Sequence, residues 1–153
     1  MSAFVGGGDN PAFTLTNDGF WPNIDGDALR AAQRIGPDVT NMRLETAAVA
    51  AIIRVNRELR TLKLRHMAAG HDTLQTVPAD QINGTSELVH DYLRAIYCTT
   101  SAEVAERYRN YDTTNSGTAK AEEENTSADD YRRDARFAIR DLLGISRNTV
   151  ELL

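Results

Sequence analysis

The residues with the most chemical potential are three histidines, one cysteine and several carboxylate-rich stretches. The histidines are His66, His71 and His90, and the only cysteine is Cys98. A tetrahedral zinc site needs three or four converging ligands, and these four side chains follow none of the spacings that bring ligands together. Asn23-Ile24-Asp25-Gly26-Asp27 has the outline of a calcium loop, but its twelfth position is Arg34 where a bidentate glutamate is required. A helix cap is the better reading of those aspartates. Cys98 has no histidine within a turn on its own helical face, so it reads as a buried or interface thiol rather than a nucleophile. No serine sits in a Gly-x-Ser-x-Gly elbow. Gly6-Gly7-Gly8 lacks both the lysine and the helix start of a phosphate cradle. Glu122-Glu123-Glu124 reads as acidic bias near a helix N-terminus. These patterns support no catalytic residue, no metal ligand and no cofactor, so the chain reads as a non-enzyme.

Charge distribution says more. The formal net charge is -5, yet Arg43, Arg54, Arg57, Arg60, Lys63 and Arg65 lie in one segment opposed only by Glu45 and Glu58. Glu122, Glu123, Glu124, Asp129 and Asp130 form a run without a base. One basic helix and one acidic patch on a small body suit head-to-tail docking of identical copies. The candidate subunit interface is therefore Arg54, Arg57, Arg60 and Lys63 against Glu122, Glu123, Asp129 and Asp130. Two other readings stand beside it, simple solvation of both faces and phosphate contact by a small helical DNA-binding accessory protein. The acidic total charge disfavours the latter. Positions 54, 57 and 60 also drift around a helix instead of sharing one face.

The elements that would position these residues are helices. Residues 1–19, with three consecutive glycines and no periodicity, read as an arm that is flexible or ordered by a partner. Phe20-Trp21 is the anchor that follows it. Asp25 or Asp27 caps a short helix through Ala28, Leu29, Ala32 and Ile35, ended by Gly36-Pro37. Thr40 caps the longest helix, from about Asn41 to Ala69. Ala48, Ile52, Val55, Leu59 and Leu62 form its stripe, Val49 and Ile53 widen it, and Gly70 is the C-cap. His71 to Gly84 is an ordered loop. A third helix from about Ser86 to Asn110 carries one stripe of Leu88, Tyr92, Ala95 and Thr99, and a second of Leu93, Tyr97, Val104, Tyr108 and Tyr111. Asp112 to Gly117 is a break. A last helix from about Thr118 to Leu143 becomes amphipathic through Tyr131, Ala135, Ala138 and Leu142. Residues 145–153 are an extended tail whose Arg147, Val150, Leu152 and Leu153 are candidates for contact with a larger partner or a neighbour by strand addition. The expected fold is mainly α, a bundle of about four helices over residues 20–144 with an extended arm and tail. No run of apolar residues is long enough to span a membrane, and no secretory signal is read.

Several strings together resemble one known family. Phe20-Trp21-Pro22-Asn23-Ile24-Asp25 with Arg30, and Gly70 with Leu74 and Val77-Pro78-Ala79-Asp80, are among them. So are Tyr92-Leu93-Arg94-Ala95-Ile96, Ala105-Glu106-Arg107-Tyr108-Arg109 with Asp112, and Tyr131-Arg132-Arg133-Asp134 with Arg136, Ala138 and Gly144. In order and spacing they resemble the head completion/stabilisation proteins of Peduovirus-like tailed phages, from about Phe20 onward. The chain departs from that pattern at Asn23, where an acidic residue is usual, and at Ile145-Ser146, where a basic stretch is usual. The resemblance implies a structural protein of the virion, made in the bacterial host cytoplasm and placed at the head–tail junction. It further implies a homododecameric ring under the portal protein that stabilises the DNA-filled head. Tail or neck terminator proteins would attach to that ring, and packaged DNA would pass through it without sequence-specific recognition.

Overall fold

The structure, a computed structural model, describes residues 11–108 and 115–146, with side chains described for 11–107 and 128–146. Strand β1 (Thr14–Leu15) pairs antiparallel with β2 (Ile24–Asp25), Leu15 opposite Ile24. The turn between them is built by Asp18, whose Oδ1 accepts from the amides of Phe20 (3.1 Å) and Trp21 (3.2 Å). Gly19 supplies the positive φ of +93° that lets the chain reverse there. Two strands this short are not stable alone. They hold because Leu15, Phe20, Trp21 and Ile24 are all buried in the common core. The boundary expected at residue 19 therefore lies earlier, since residues 14 and 15 are already part of the domain.

Helix α1 (Gly26–Ala32) starts at the expected cap, with Asp25 Oδ1 accepting from the amides of Asp27 and Ala28. It ends before Gly36-Pro37, which corrects the expected terminator. Arg34 takes the left-handed conformation (φ 54°), and the Ile35 amide donates to the Arg30 carbonyl at 3.0 Å. That is a Schellman closure with arginine in the glycine position, and it leaves Ile35 outside the helix. Arg30 then ties the following loop together by donating to the carbonyls of Gly36 and Val39, each at 2.8 Å.

The long helix begins at Thr40, as expected, but is divided at Leu59 into α2 (Asn41–Glu58) and α3 (Arg60–Ala68). Neither proline nor glycine lies there; Leu59 leaves helical geometry (φ -90°, ψ 8°) while Leu59 and Leu62 both stay in the core across the division. The inward face is Leu44, Ala47, Ala48, Ala51, Val55, Leu59 and Leu62. The small side chains of Ala47, Ala48 and Ala51 allow the next helix to approach closely. Val49 and Ile53 do not widen this face, because both are exposed. Gly70 (φ +92°) closes α3 as a C-cap, as expected.

A 3-10 turn at Leu74–Thr76 buries Leu74, whose amide donates to the Phe20 carbonyl at 3.0 Å. Strands β3 (Gln81–Ile82) and β4 (Thr85–Ser86) then form a tight hairpin over Asn83-Gly84, both at positive φ as a type I′ turn demands. Helix α4 (Glu87–Tyr108) is the centre of the bundle, packed on one side by α2 and along its length by α5 (Asn115–Leu142). Its buried residues are Val89, Tyr92, Ala95, Ile96, Cys98, Thr100, Ser101 and Ala102. Tyr92 and Ala95 of the first expected stripe are fully buried, while Leu88 and Thr99 at its ends, and Leu93, Tyr97 and Val104 of the second, are partly buried. Tyr108 and Tyr111 lie outside the described side chains. Helix α5 starts three residues ahead of the expected Thr118, buries Ala128, Ala135, Ala138, Ile139 and Leu142, and stops at Gly144 (φ +67°). The architecture is the mainly α bundle expected, with five helices among the described residues because the longest one is split.

Candidate subunit-contact surface

The residues with potential reactivity are accounted for structurally. His90 Nε2 lies 2.9 Å from the Ile82 carbonyl at the hairpin. His66 stacks on Phe20 (6.4 Å between ring centroids), and burial with Arg65 and His71 nearby holds its pKa below the usual value. Burial, with Asp134 beside it, pushes the Cys98 thiol up, away from the thiolate that nucleophilic chemistry needs. Among the described residues no three His, Cys, Asp or Glu side chains group to hold a metal. No helix among them is long and apolar enough to cross a membrane.

The polar centre of the molecule is a closed triangle of hydrogen bonds. Tyr92 donates its hydroxyl proton to Asn56 Oδ1 (2.5 Å) and accepts from Asn17 Nδ2 (2.9 Å), while Asn56 Nδ2 donates to Asn17 Oδ1 (2.9 Å). It joins the N-terminal turn, α2 and α4 at one point. Trp21 lies flat on the Tyr92 ring (4.7 Å, 6°), with Phe20 edge-on to Trp21 (4.8 Å, 88°). Burial raises the Tyr92 pKa well above that of a free phenol, so the hydroxyl remains a donor at neutral pH. Phe20 and Trp21 are thus core anchors, fixed by α3, the 3-10 turn and α4. Asn17 and Asn56 carried no signal in the sequence, because a polar residue on a helix or turn reads as solvated until its distant partner is known.

The charged residues divide differently from their sequence order. Lys63 Nζ lies 2.6 Å from Asp18 Oδ2, pinning α3 to the turn. Burial of the Asp18 carboxyl opposes its ionisation, but Lys63 and the amides of Trp21 and Phe20 outweigh that and lower its pKa. Arg54 opens into a cleft of about 650 Å³ between α2, α4 and α5, with Glu58, Glu103, Glu106, Arg107 and Arg136 on its walls. There Arg132 pairs with Glu106 across the helices and with Asp129 at 2.7 Å, and Arg133 pairs with Asp130 at 2.9 Å. Asp129 and Asp130 are therefore already engaged by arginines of their own helix. Glu122, Glu123, Arg147, Val150, Leu152 and Leu153 lie outside the described side chains.

Arg54, Arg57, Arg60 and Arg65 are all exposed and form no ion pair among the described residues; Arg54 lines the cleft, whereas Arg57 and Arg60 lie outside it. They are interspersed with Met42 (78% exposed), Val49 (40%), Ile53 (53%), Leu64 (56%) and Met67 (47%). Steps of seven, four, eleven and three residues keep these apolar side chains on one outer stripe, roughly 38 Å long at 1.5 Å per residue. Exposed apolar side chains interspersed with arginine are a composition found at protein contacts. The sequence did contain the signal: α2 has more apolar positions than one inward face can use.

The described residues form a helical bundle whose α2–α3 segment carries exposed apolar and basic side chains. The model of the phage head completion protein (GPL) family matches residues 15–153. The head completion/stabilization protein of Escherichia phage P2 is 34% identical over 140 residues, covering 92% of this chain and 82% of that protein. The chain belongs to the phage head completion proteins, as the strings beginning at Phe20 implied, and it is a structural component of the phage head. No solved structure is significantly similar to it.

Proposed function

We propose that this chain is a non-catalytic connector subunit that closes into a ring, of about twelve copies, beneath the portal of a DNA-filled phage head. The ring stabilises the packaged head, contacts the portal protein, and offers a platform to the tail or neck terminator proteins, with DNA passing through it unread. Family membership over nearly the whole chain is the observation that carries this reading. The α2–α3 stripe supports it, since ring subunits need a surface that stays exposed until a neighbour covers it. Arg57 and Arg60 are subunit-contact residues in this reading, whereas Lys63 serves the fold through Asp18. The arm before residue 11 and the segment containing Arg147, Val150, Leu152 and Leu153 are the proposed portal or neighbour contacts. Phosphate gripping is the weaker use of the stripe, because the exposed Val49 and Ile53 ahead of the arginines gain nothing from a phosphate backbone.

The test is genetic. A phage carrying a stop codon in this gene should package DNA into heads that leak it and join no tails, and the protein supplied in trans should restore whole particles. Infectious, tailed particles that lack the protein would refute the reading.

A further inference from the structure

A second exposed surface lies where α4 begins and α5 finishes. Helices α4 and α5 pack along each other with Arg94 3.9 Å from Asp134, which sets Glu87 and Asp91 at the start of α4 near Asp141 at the end of α5; burial, with the Asp141 and Glu87 charges, raises the Asp91 pKa. Arg94 and His90 oppose this only in part. Glu87 and Asp91 form no ion pair among the described residues. Beside them Ile82, at the hairpin whose carbonyl meets His90, is 56% exposed, and Ile145, just past Asp141, is 47% exposed. This end is apolar and acidic, where the α2–α3 stripe is apolar and basic.

We propose that the α2–α3 stripe is the docking surface for a second copy of this chain, which presents its Glu87–Asp91 end with Ile82 and Ile145. The proposal rests on the ring reading and names the two faces of its contact. Charge complementarity selects this occupant. Two stripes meeting each other would bring Arg57 and Arg60 of one copy toward those of the other, an unfavourable like-charge arrangement. The acidic start of α5 is a poorer mate, since Asp129 and Asp130 already pair with Arg132 and Arg133. A contact between two different faces of one body repeats from copy to copy, and gives a ring where its rotation closes.

Particles provide the test. In a Cys98→Ser background, Ile53→Cys and Ile145→Cys are introduced singly and together, and purified particles are treated with a short bismaleimide. The doubly substituted chain should give a ladder of its own multiples, and each single substitution only monomer. A crosslinked dimer from Ile53→Cys alone, crosslinking to another protein instead, or no ladder in particles that contain the chain would each overturn the proposal. Absence of even the wild-type chain from particles would instead remove the ring reading beneath it. As a second arm, Arg57→Glu with Arg60→Glu, and Glu87→Lys with Asp91→Lys, should each lower incorporation by roughly tenfold or more, and all four together should restore most of it. Circular dichroism should be unchanged in all three. Failure of the combined charge exchange to recover incorporation would count against the pairing.

Discussion

Replacing Tyr92 by phenylalanine tests the polar triangle without disturbing the aromatic stack. The substitution keeps the ring under Trp21 and removes one hydroxyl, and with it the bonds to Asn56 Oδ1 at 2.5 Å and from Asn17 Nδ2 at 2.9 Å. Each neutral hydrogen bond contributes about 1 kcal/mol net, and an amide left without its partner adds to the loss. Both asparagines border solvent and can recruit water, which limits that addition. The expected destabilisation is about 2 kcal/mol, or roughly 4–8 °C in Tm for a chain of this size. Trp21 is the only tryptophan and lies 2% exposed in the stack, so its fluorescence reports urea unfolding of the region directly. Asn56→Ala should cost a similar amount, and the double variant clearly less than the sum, because both remove the same bond. A Tyr92→Phe loss below about 0.5 kcal/mol, or strict additivity with Asn56→Ala, would refute the triangle as a stabilising unit.

Other perturbations follow from single features. Arg34 holds a left-handed conformation at the end of α1 with no side-chain bond to justify it, so Arg34→Gly should stabilise the chain by about 1 kcal/mol in thermal melts. The Asp18 pKa is lower folded than unfolded, so its contribution is present above the ordinary value of 3.8 and is lost as pH falls below it. Asp18→Asn should accordingly lower stability at neutral pH and flatten the acid limb of the stability–pH curve, and an unchanged acid limb would contradict the Lys63 pairing. Deleting residues 1–10 should leave the helical fold and its melting temperature intact, whereas deleting 1–19 should destabilise it by removing Leu15, Asn17 and Asp18; equal melting of the two truncations would refute the packing of β1.

Helix starts were plain in the sequence because a cap is a local event. Asp25 and Thr40 each bond amides within three residues, and Gly70 and Gly144 take the conformation that other residues resist. Local rules fail where tertiary forces decide. Arg34 ends α1 in a glycine's conformation, with Arg30 and Gln33 holding the chain to the loop and to Ser101. Leu59 interrupts a segment with no breaker in it. Val49 and Ile53 sit beside the inward stripe, and periodicity cannot distinguish a widened core from a second face kept for a partner. Asn17, Asn56 and Tyr92 are separated by up to 75 positions, a pairing no local pattern contains. The family strings around Phe20, Tyr92 and Tyr131 were readable for the opposite reason: the side chains in them that anchor the bundle keep their order along the chain.

Electron cryomicroscopy of the necks of mature particles tests the connector reading most directly. The expected map shows a closed ring of this chain beneath the portal, each copy's α2–α3 stripe covered by the α4–α5 end of its neighbour. A neck in which the chain is missing, or present with that stripe bare to solvent, would contradict it.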